Sequence, residues 1–403
     1  MLPPSPTPAS PLGRALRPIA DFLRLETASG LLLMAFALVA MTWANSPASA
    51  LYQSIFATPF TIGYGDTLLS KPLILWINDG LMALFFLVVG LEIKRELLTG
   101  GLNSPRQAAL PAAAALGGML VPALLYAAIN RGLPTLSGWG VPMATDIAFS
   151  LGVLAMLGRR VPLALKVLLT AIAIVDDLGA VAVIALCYTA SIKSSLLAAS
   201  LALIALAWAF GRIGGRHPLV FLVLGIAAWL CMLKSGVHST IAGVLLAFAL
   251  PTRQLPHESE PLGSRWEHAL HPYVAFAIMP LFALANAGVI LSGSFAQALA
   301  QPPSLGVIAG LVLGKPLGIF GFSWLAVRLR LASLPAGLSW SQLFGLSLLA
   351  GIGFTMSLFI ADLAFGPSPS LSQAKAGILF ASLLSGLLGY LYLRFSPQRP
   401  LAP

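Results

Sequence analysis

Two adjacent aspartates in an apolar stretch are the residues most able to do chemistry in this sequence. Asp176 and Asp177 lie within LTAIAIVDDLGAVAVIAL. An ionised side chain at the centre of a bilayer costs about 2.5–3.5 kcal/mol on insertion scales, so such groups indicate function by default. Neighbouring positions of a helix point about 100° apart. We therefore expect one carboxylate to face a partner while the other faces a cavity.

The chemistry of such a pair is that of an exchanger. A small hard cation prefers oxygen ligands, and carboxylates in apolar surroundings resist losing all of their protons together. Protons and a cation would then compete for the same oxygens. The alternative is that the aspartates form ion pairs that only hold helices together.

Four more charged residues fall within or at the ends of apolar stretches. Asp146 lies in VPMATDIAFSLG, Lys315 in GLVLGKPLGIFGF and Asp79 in LWINDGLMALFF, and Asp362 closes a later stretch. An aspartate near a buried lysine favours its charged form. Lys315 is therefore a salt-bridge partner for an aspartate, a proton carrier, or both.

Composition makes this an integral membrane protein. Of its 403 residues, 58% are hydrophobic and only 9% are charged, against about 25% charged in soluble domains. The net charge of +10 comes with no basic run, so a nucleic-acid partner is not expected. Positive charge has a topological use in membrane proteins instead, because cytoplasmic loops are enriched in Lys and Arg.

Hydropathy predicts about twelve transmembrane helices, each near the 20 residues that a bilayer requires. With a cytoplasmic N-terminus, 17 of the 23 Lys and Arg fall inside, five fall outside, and Lys315 lies within a span. We predict a disordered cytoplasmic tail over 1–24, one transmembrane domain over 25–396 and a cytoplasmic tail over 397–403. The predicted spans are 27–45, 73–93, 107–129, 138–158, 163–188, 194–211, 218–233, 237–250, 269–290, 305–327, 339–362 and 371–394.

Two of these spans are expected to be interrupted, because Gly and Pro weaken helices. Pro142 precedes Thr145 and Asp146 in the fourth span, and Gly351 and Gly353 precede Thr355 in the eleventh.

The interrupted spans are the middle members of two three-span groups, 107–188 and 305–394. The groups would run in opposite directions, which is an inverted repeat whose interface is the expected binding site. The fold class is therefore an all-α polytopic membrane protein in which two interrupted helices cross.

At these residues the sequence closely resembles the bacterial NhaA family of sodium/proton antiporters. Seven stretches match in order, from about residue 20 to 395. They are WINDGLMALFFLVVGLEIKREL, ATDIAFSLGVLA, VPLALKVLLTAIAIVDDLGA, LKSGVHSTIAGV, EHALHPYVAFAIMPLFALANAG, GLVLGKPLGI and GIGFTMSLFIADLAFG. Asp362 departs from the resemblance, which leads us to expect an uncharged residue there.

The resemblance implies a transporter, not an enzyme, that exchanges external protons for cytoplasmic sodium or lithium by alternating access. It has no cofactor beyond the transported ions and lies in the bacterial inner membrane. It implies an ion site at Asp176 and Asp177 with Asp146 and Thr145 nearby, and the pairing of Lys315 with Asp176. Asp79 is an accessory acid. The implied pH-response residues are Glu92, Glu96, His238, Glu267, His268 and His271, although several of these could simply form a solvated helix end.

The segment TIGYGDT at 61–67 reads like a potassium-channel filter, but Pro59 would interrupt the pore helix that such a filter requires. Phe60, Ile62 and Tyr64 alternate with small residues, and Gly65–Asp66 offers a turn. We expect an external β-hairpin over about 52–70, and the resemblance implies that it pairs two subunits into a homodimer.

Two rival functions also use buried aspartates. An intramembrane aspartyl protease would hold its two acids on different helices, whereas Asp176 and Asp177 are neighbours in one. A sodium-coupled symporter of an organic solute is the stronger alternative. It would need a roomier polar cavity than the acids and threonines of this sequence suggest.

Overall fold

Helices make up nearly all of the computed structural model, which describes residues 11–63, 69–100, 103–188, 192–254, 258, 260–290 and 295–396. The first half contains eight of them. Their bounds are α1 Pro11–Ala44, α2 Ser49–Ala57, α3 Leu73–Leu98, α4 Pro105–Ile129, α5 Ile147–Met156, α6 Leu163–Cys187, α7 Ser194–Arg212 and α8 Pro218–Ser235, with 3-10 segments at Pro134–Met143 and Gly158–Arg160.

The second half contains seven further helices. Their bounds are α9 Thr240–Ala249, α10 Leu262–Asn286, α11 Phe295–Leu299, α12 Pro302–Arg328, α13 Trp340–Leu349, α14 Phe354–Phe365 and α15 Pro369–Phe395. Three of the long helices contain a π-helical segment: Trp76–Leu81 in α3, Val274–Ile278 in α10 and Ala309–Gly314 in α12. Each π segment inserts an extra residue per turn, which re-aims the side chains around it.

The chain is a multi-pass membrane protein. Eight helices among the described residues are long and apolar enough to cross a bilayer, and the number rises to eleven if each of three bent helix pairs counts as one span. The helix α9 has 10 residues and is therefore only about 15 Å long, half the hydrocarbon thickness. The count of twelve spans and the inverted repeat stay predictions.

Local sequence signals explain several helix starts. Ser339 and Gln342 form a capping box at the start of α13, which satisfies two backbone N–H groups. Ser368 caps α15 ahead of Pro369, and proline suits the first helical position because its missing N–H would be unpaired there.

The predicted hairpin is present but shorter than expected. Strand β1 (Pro59–Ile62) pairs antiparallel with β2 (Leu69–Pro72), and Phe60 lies opposite Lys71. The expected start at residue 52 is wrong, because Ser49–Ala57 is helical. Tyr64 and the Gly65–Asp66 turn lie outside the described residues.

The described residues include only part of the predicted terminal tails. Helix α1 begins at Pro11, within the segment 1–24 predicted as a disordered tail. Residues 1–10 and the tail 397–403 lie outside the described residues. The division into tails and one membrane domain stays a prediction.

Candidate functional site

Two breaks in helices meet at the centre of the bundle. The 3-10 segment Pro134–Met143 and α5 bend by 47° around residues 144–146, and α13 and α14 bend by 47° around residues 350–353. The backbone N–H of Asp146 donates to the carbonyl of Ile352 at 2.7 Å. Both interruptions expected from the sequence are therefore present, and they hydrogen-bond directly to each other.

Serine hydroxyls also form hydrogen bonds between the two interrupted spans, one in each direction. Ser150 of α5 donates to the carbonyl of Leu349 at 3.1 Å, and Ser357 of α14 donates to the carbonyl of Val141 at 2.8 Å. Each serine satisfies a carbonyl that a helix end leaves without an intrahelical partner. The two crossing segments thus make reciprocal hydrogen bonds.

Glycine and proline allow the chains to approach this closely. A Cβ at Gly351 would overlap the carbonyl oxygen of Leu311, and one at Gly353 would overlap the hydroxyl of Ser357. The ring of Pro142 lies against Gly310 in the π segment of α12. Gly351 and Gly310 therefore leave the space in which α12 and the two breaks pack against each other.

Asp146 lies at the N-termini of two half-helices. Its Oδ1 accepts from the N–H of Phe149 in α5 at 2.9 Å. Its Oδ2 accepts from the N–H of Thr355 at 3.0 Å and from the Thr355 hydroxyl at 2.6 Å. A carboxylate is favoured at a helix N-terminus, where the partial charge is positive, so Asp146 stabilises both half-helices at once.

Lys315 and Asp176 form a fully buried ion pair. The ammonium of Lys315 donates to Asp176 Oδ2 and lies 2.9 Å from the hydroxyl of Thr145. That hydroxyl is 2.8 Å from Asp176 Oδ2 and 2.9 Å from the carbonyl of Ala350. Thr145 thereby links the ion pair to the second break.

Asp177 points elsewhere. It lines a cavity of about 60 Å³ together with Asp146, Thr145 and Thr355, and neither Asp176 nor Lys315 lines it. The Oδ1 atoms of Asp176 and Asp177 are both buried without a hydrogen-bond partner among the residues that the structure describes. As expected from the 100° offset, one aspartate faces a lysine and the other faces a cavity.

The cavity extends from Asp177 towards Glu92 of α3 and His271 of α10. Glu92 lies 4.0 Å from the guanidinium of Arg95. Arg95 also binds Glu267 at 2.5 Å and Glu96 at 3.3 Å. Three acids of the predicted pH-response set therefore share one arginine at this end of the cavity.

Known proteins resemble this chain over almost all of its length. The sequence model of the family "Na+/H+ antiporter 1" matches residues 20–393. A protein of Rhodospirillum rubrum named Na(+)/H(+) antiporter NhaA is 53% identical over 395 residues, which is 96% of this chain and 99% of that protein. The chain belongs to the Na+/H+ antiporter 1 family.

Two further relatives are as similar. The protein named Na(+)/H(+) antiporter NhaA 1 of Syntrophotalea carbinolica is 53% identical over 380 residues, 93% of this chain and 96% of the relative. The protein named Na(+)/H(+) antiporter NhaA of Pseudomonas putida is 51% identical over 383 residues, 94% and 97% of the two chains. The resemblance on which the sequence analysis relied is confirmed.

Not every residue predicted for the site of this family member lies in it. His268 is 61% exposed and is 3.3 Å from Glu260. Asp79 forms an ion pair with Lys71 at 2.8 Å, at the hairpin end of α3. His238 lies near Asp79 too, with its ring 6.5 Å from that of Phe359. His238 is therefore separate from the acids around Arg95.

A buried polar network on the hairpin side was not predicted. Asn78 and Asn286 exchange hydrogen bonds of 2.9 and 3.3 Å between their amides. Asn78 also donates to Asp362 at 3.1 Å, and Lys375 lies 3.5 Å from Asn286. Polar residues in apolar spans were the only sequence signal, and nothing in their spacing predicts that they meet.

A large groove of this family member lies away from the buried charges. It has a volume of about 670 Å³ and runs between α3, α8, α9 and α10, past residues such as Trp76, Trp229 and Leu246. Its lining residues are all apolar or glycine. A charged or polar solute finds no partner there, so the small cavity beside Asp177 is the candidate site.

Proposed function

We propose that this protein is a secondary transporter that exchanges external protons for cytoplasmic sodium or lithium by alternating access. The family and its relatives, which are named Na(+)/H(+) antiporters, support exchange of these ions. The observation that carries the proposal is the placement of Asp177. Its carboxylate lines an oxygen-rich cavity while its neighbour Asp176 is held by a lysine.

Cation and protons are alternative ways to neutralise this cavity. Asp177 and Asp146 supply carboxylate oxygens and Thr145 and Thr355 supply hydroxyls, which is the ligand chemistry of a hard cation. The charges of Asp176, Glu92 and Asp146 all act on Asp177. Carboxylates grouped in apolar surroundings resist being ionised together, so the site would hold either a cation or protons.

Lys315 would couple the second carboxylate to this exchange. When Asp176 is ionised, the buried ammonium of Lys315 neutralises it. When Asp176 takes up a proton, Lys315 loses its counter-charge, and a buried unpaired charge is costly. Protonation of Asp176 would therefore loosen the contacts that Lys315 and Thr145 make between α12 and the first break.

The crossed breaks are the natural element to change between the two access states. Their reciprocal serine bonds, from Ser150 and Ser357, and their equal 47° bends support the proposed inverted repeat of 107–188 and 305–394. Rocking of such repeats against each other is a known route to alternating access. Up to eleven spans are counted among the described residues when each bent pair is one span. Twelve spans, with both termini on the cytoplasmic side, would follow if α9, which is about 15 Å long, crosses the membrane together with residues 236–239.

The size of the cavity argues against the alternative, a sodium-coupled symporter of an organic solute. A volume of about 60 Å³ is far below the roughly 300–1,000 Å³ of sites that bind small organic molecules. The larger groove is lined by apolar residues and glycine. Neither the small cavity nor the apolar groove therefore suits a polar organic solute.

Two further parts of the proposal concern pH and assembly. Glu92, Glu96 and Glu267 around Arg95, together with His271, would set the pH response, because they lie at the end of the cavity through which a cation would enter. The strand β1 is exposed along its whole length, and an exposed strand edge suits pairing with another strand. We propose that it joins two subunits into a homodimer in the bacterial inner membrane.

The test of the exchange is sodium-dependent proton movement in everted membrane vesicles. A pH-sensitive dye should report proton movement when sodium or lithium is added, and little when potassium is added. Asp177→Asn should abolish it. The matched control is Glu260→Gln, the same chemical change at an exposed acid, which should keep wild-type exchange.

Two outcomes would contradict the proposal. Wild-type vesicles in which sodium moves no protons would refute the exchange itself. Full exchange by Asp177→Asn would refute the site but not the exchange. The homodimer is tested separately by disulfide cross-linking between cysteines introduced in place of Thr61 of two copies.

A further inference from the structure

The unpredicted network on the hairpin side joins a carboxylate to an ammonium through two amides. Asp362 accepts from Asn78, Asn78 and Asn286 bond to each other, and Lys375 lies within 3.5 Å of Asn286. The four residues come from four different helices, α3, α10, α14 and α15. The charge of Asp362 acts on Lys375 across this bridge. The network therefore contains one negative and one positive group, and they offset each other.

The network lies on helices that also carry the proposed ion site. Thr355, which binds Asp146, and Asp362 are seven residues apart on α14. They therefore share a face of that helix about 10 Å apart along its axis. Phe359 lies between them on this face, and its ring packs 5.4 Å from Phe86 and 6.3 Å from Phe282. Asp362 therefore lies about one helical turn beyond Phe359 on this face of α14, on the side away from Thr355.

A lysine at this point would oppose the passage of a cation. An uncompensated charge about 10 Å from a cation, at an effective dielectric constant of about 20, changes its affinity roughly tenfold. Lys375 is half-buried, so solvent screens it only in part. Asp362 is a described group of opposite charge that acts on Lys375. The family resemblance leads us to expect an uncharged residue at position 362.

We propose that Asp362 offsets the charge of Lys375 and thereby sets how readily a cation is exchanged on the hairpin side. The inference rests on the proposed antiport function and adds a specificity-determining residue to it. Asp362 does not bind the ion at the central site. It acts through Lys375, on the approach to that site from one side of the membrane only.

The experiment compares the sodium concentration for half-maximal exchange on the two sides. Right-side-out vesicles expose the proposed external, hairpin face to added sodium, and everted vesicles expose the other face. Asp362→Asn should raise this concentration roughly tenfold in right-side-out vesicles and leave it within about twofold of wild type in everted ones. The conservative variant Asp362→Glu should keep both values.

The decisive control removes both charges. The double variant Asp362→Asn/Lys375→Met should return the right-side-out value to within about twofold of wild type, and Lys375→Met alone should lower it. A merely structural role of Asp362 predicts no rescue by the second substitution. A missing rescue, or an equal rise on both sides, overturns the inference.

The antiport proposal is tested by the same wild-type vesicles. Exchange by the wild type with no sided effect of Asp362→Asn refutes this inference alone. Wild-type vesicles without sodium-dependent proton movement refute the antiport proposal itself. If Asp362→Asn fails to fold, the fall expected for Lys375→Met still decides the question, because that variant keeps Asp362.

Discussion

Asp176 and Asp177 are adjacent in sequence, but their carboxylates lie in different surroundings. Asp176 is bound by Lys315 and by the hydroxyl of Thr145, whereas Asp177 lines the cavity shared with Asp146. The helix that carries them turns about 100° between the two positions. One backbone segment therefore presents a carboxylate paired with a lysine on one face and a carboxylate that lines the cavity on the next.

The first prediction concerns the ion pair. Lys315→Met should destabilise the protein by about 3–5 kcal/mol, the usual cost of leaving one member of a buried pair alone. Adding Asp176→Asn should recover much of that loss, because no charge then stays unpaired. Thermal unfolding of the purified variants in detergent measures both effects. Equal instability of the single and double variants would mean that the two charges are not coupled.

The second prediction concerns the shared cap at Asp146. Asp146→Ala removes the acceptor for the N–H groups of Phe149 and Thr355, and loss of a cap costs about 0.5–2 kcal/mol. Since Asp146 joins the N-termini of both half-helices and also lines the cavity, we also expect ion exchange to be lost. Ser339→Ala removes a cap of α13 away from the cavity. It should lower the unfolding temperature similarly and keep exchange, and loss of exchange in Ser339→Ala would contradict this account.

The third prediction tests how closely α4 and α12 pack. A Cβ at Gly318 would overlap the carbonyl oxygen of Gly117 on α4, whereas a Cβ at Gly321 meets nothing within 4 Å. Gly318→Ala should destabilise by about 1–3 kcal/mol, the typical cost of overpacking. Gly321→Ala on the same helix should be neutral or stabilise by up to about 1 kcal/mol. Unfolding temperatures in detergent that fall equally for both variants would show that the contact is not as tight as described.

The fourth prediction separates the two histidines of α10. His271 lines the cavity, whereas His268 is 61% exposed. A protonated His271 adds positive charge where a cation would enter, so protonation should slow exchange at acidic pH. His271→Gln should therefore extend exchange to lower pH, and His268→Gln should leave the pH profile unchanged. The comparison is made by measuring exchange with the dye over a series of pH values. An unchanged profile for His271→Gln would show that His271 has no part in the pH response.

Much of the fold could be predicted because lipid imposes simple rules. Apolar length predicted most of the membrane segments, and Pro142, Gly351 and Gly353 predicted both breaks. The orientation inferred from the asymmetry of Lys and Arg stays a prediction. The hairpin was predicted from alternation, but its start was not, since nothing in 52–57 distinguished a strand from the helix Ser49–Ala57. The π segments could not be predicted, because an inserted residue within a helix leaves no periodic signal.

Composition, hydropathy and motifs were enough to identify a multi-pass membrane protein of this family and its costly buried charges, Asp146, Asp176, Asp177 and Lys315. The packing of the folded chain was needed to show which of these charges face each other and that Asp146 caps two half-helices. It was also needed to show that Asp362 and Lys375 meet through Asn78 and Asn286. The physical reason is the separation along the chain over which each effect acts. Hydropathy and helix breaking act along the chain, whereas neutralising a buried charge depends on which distant helix packs beside it.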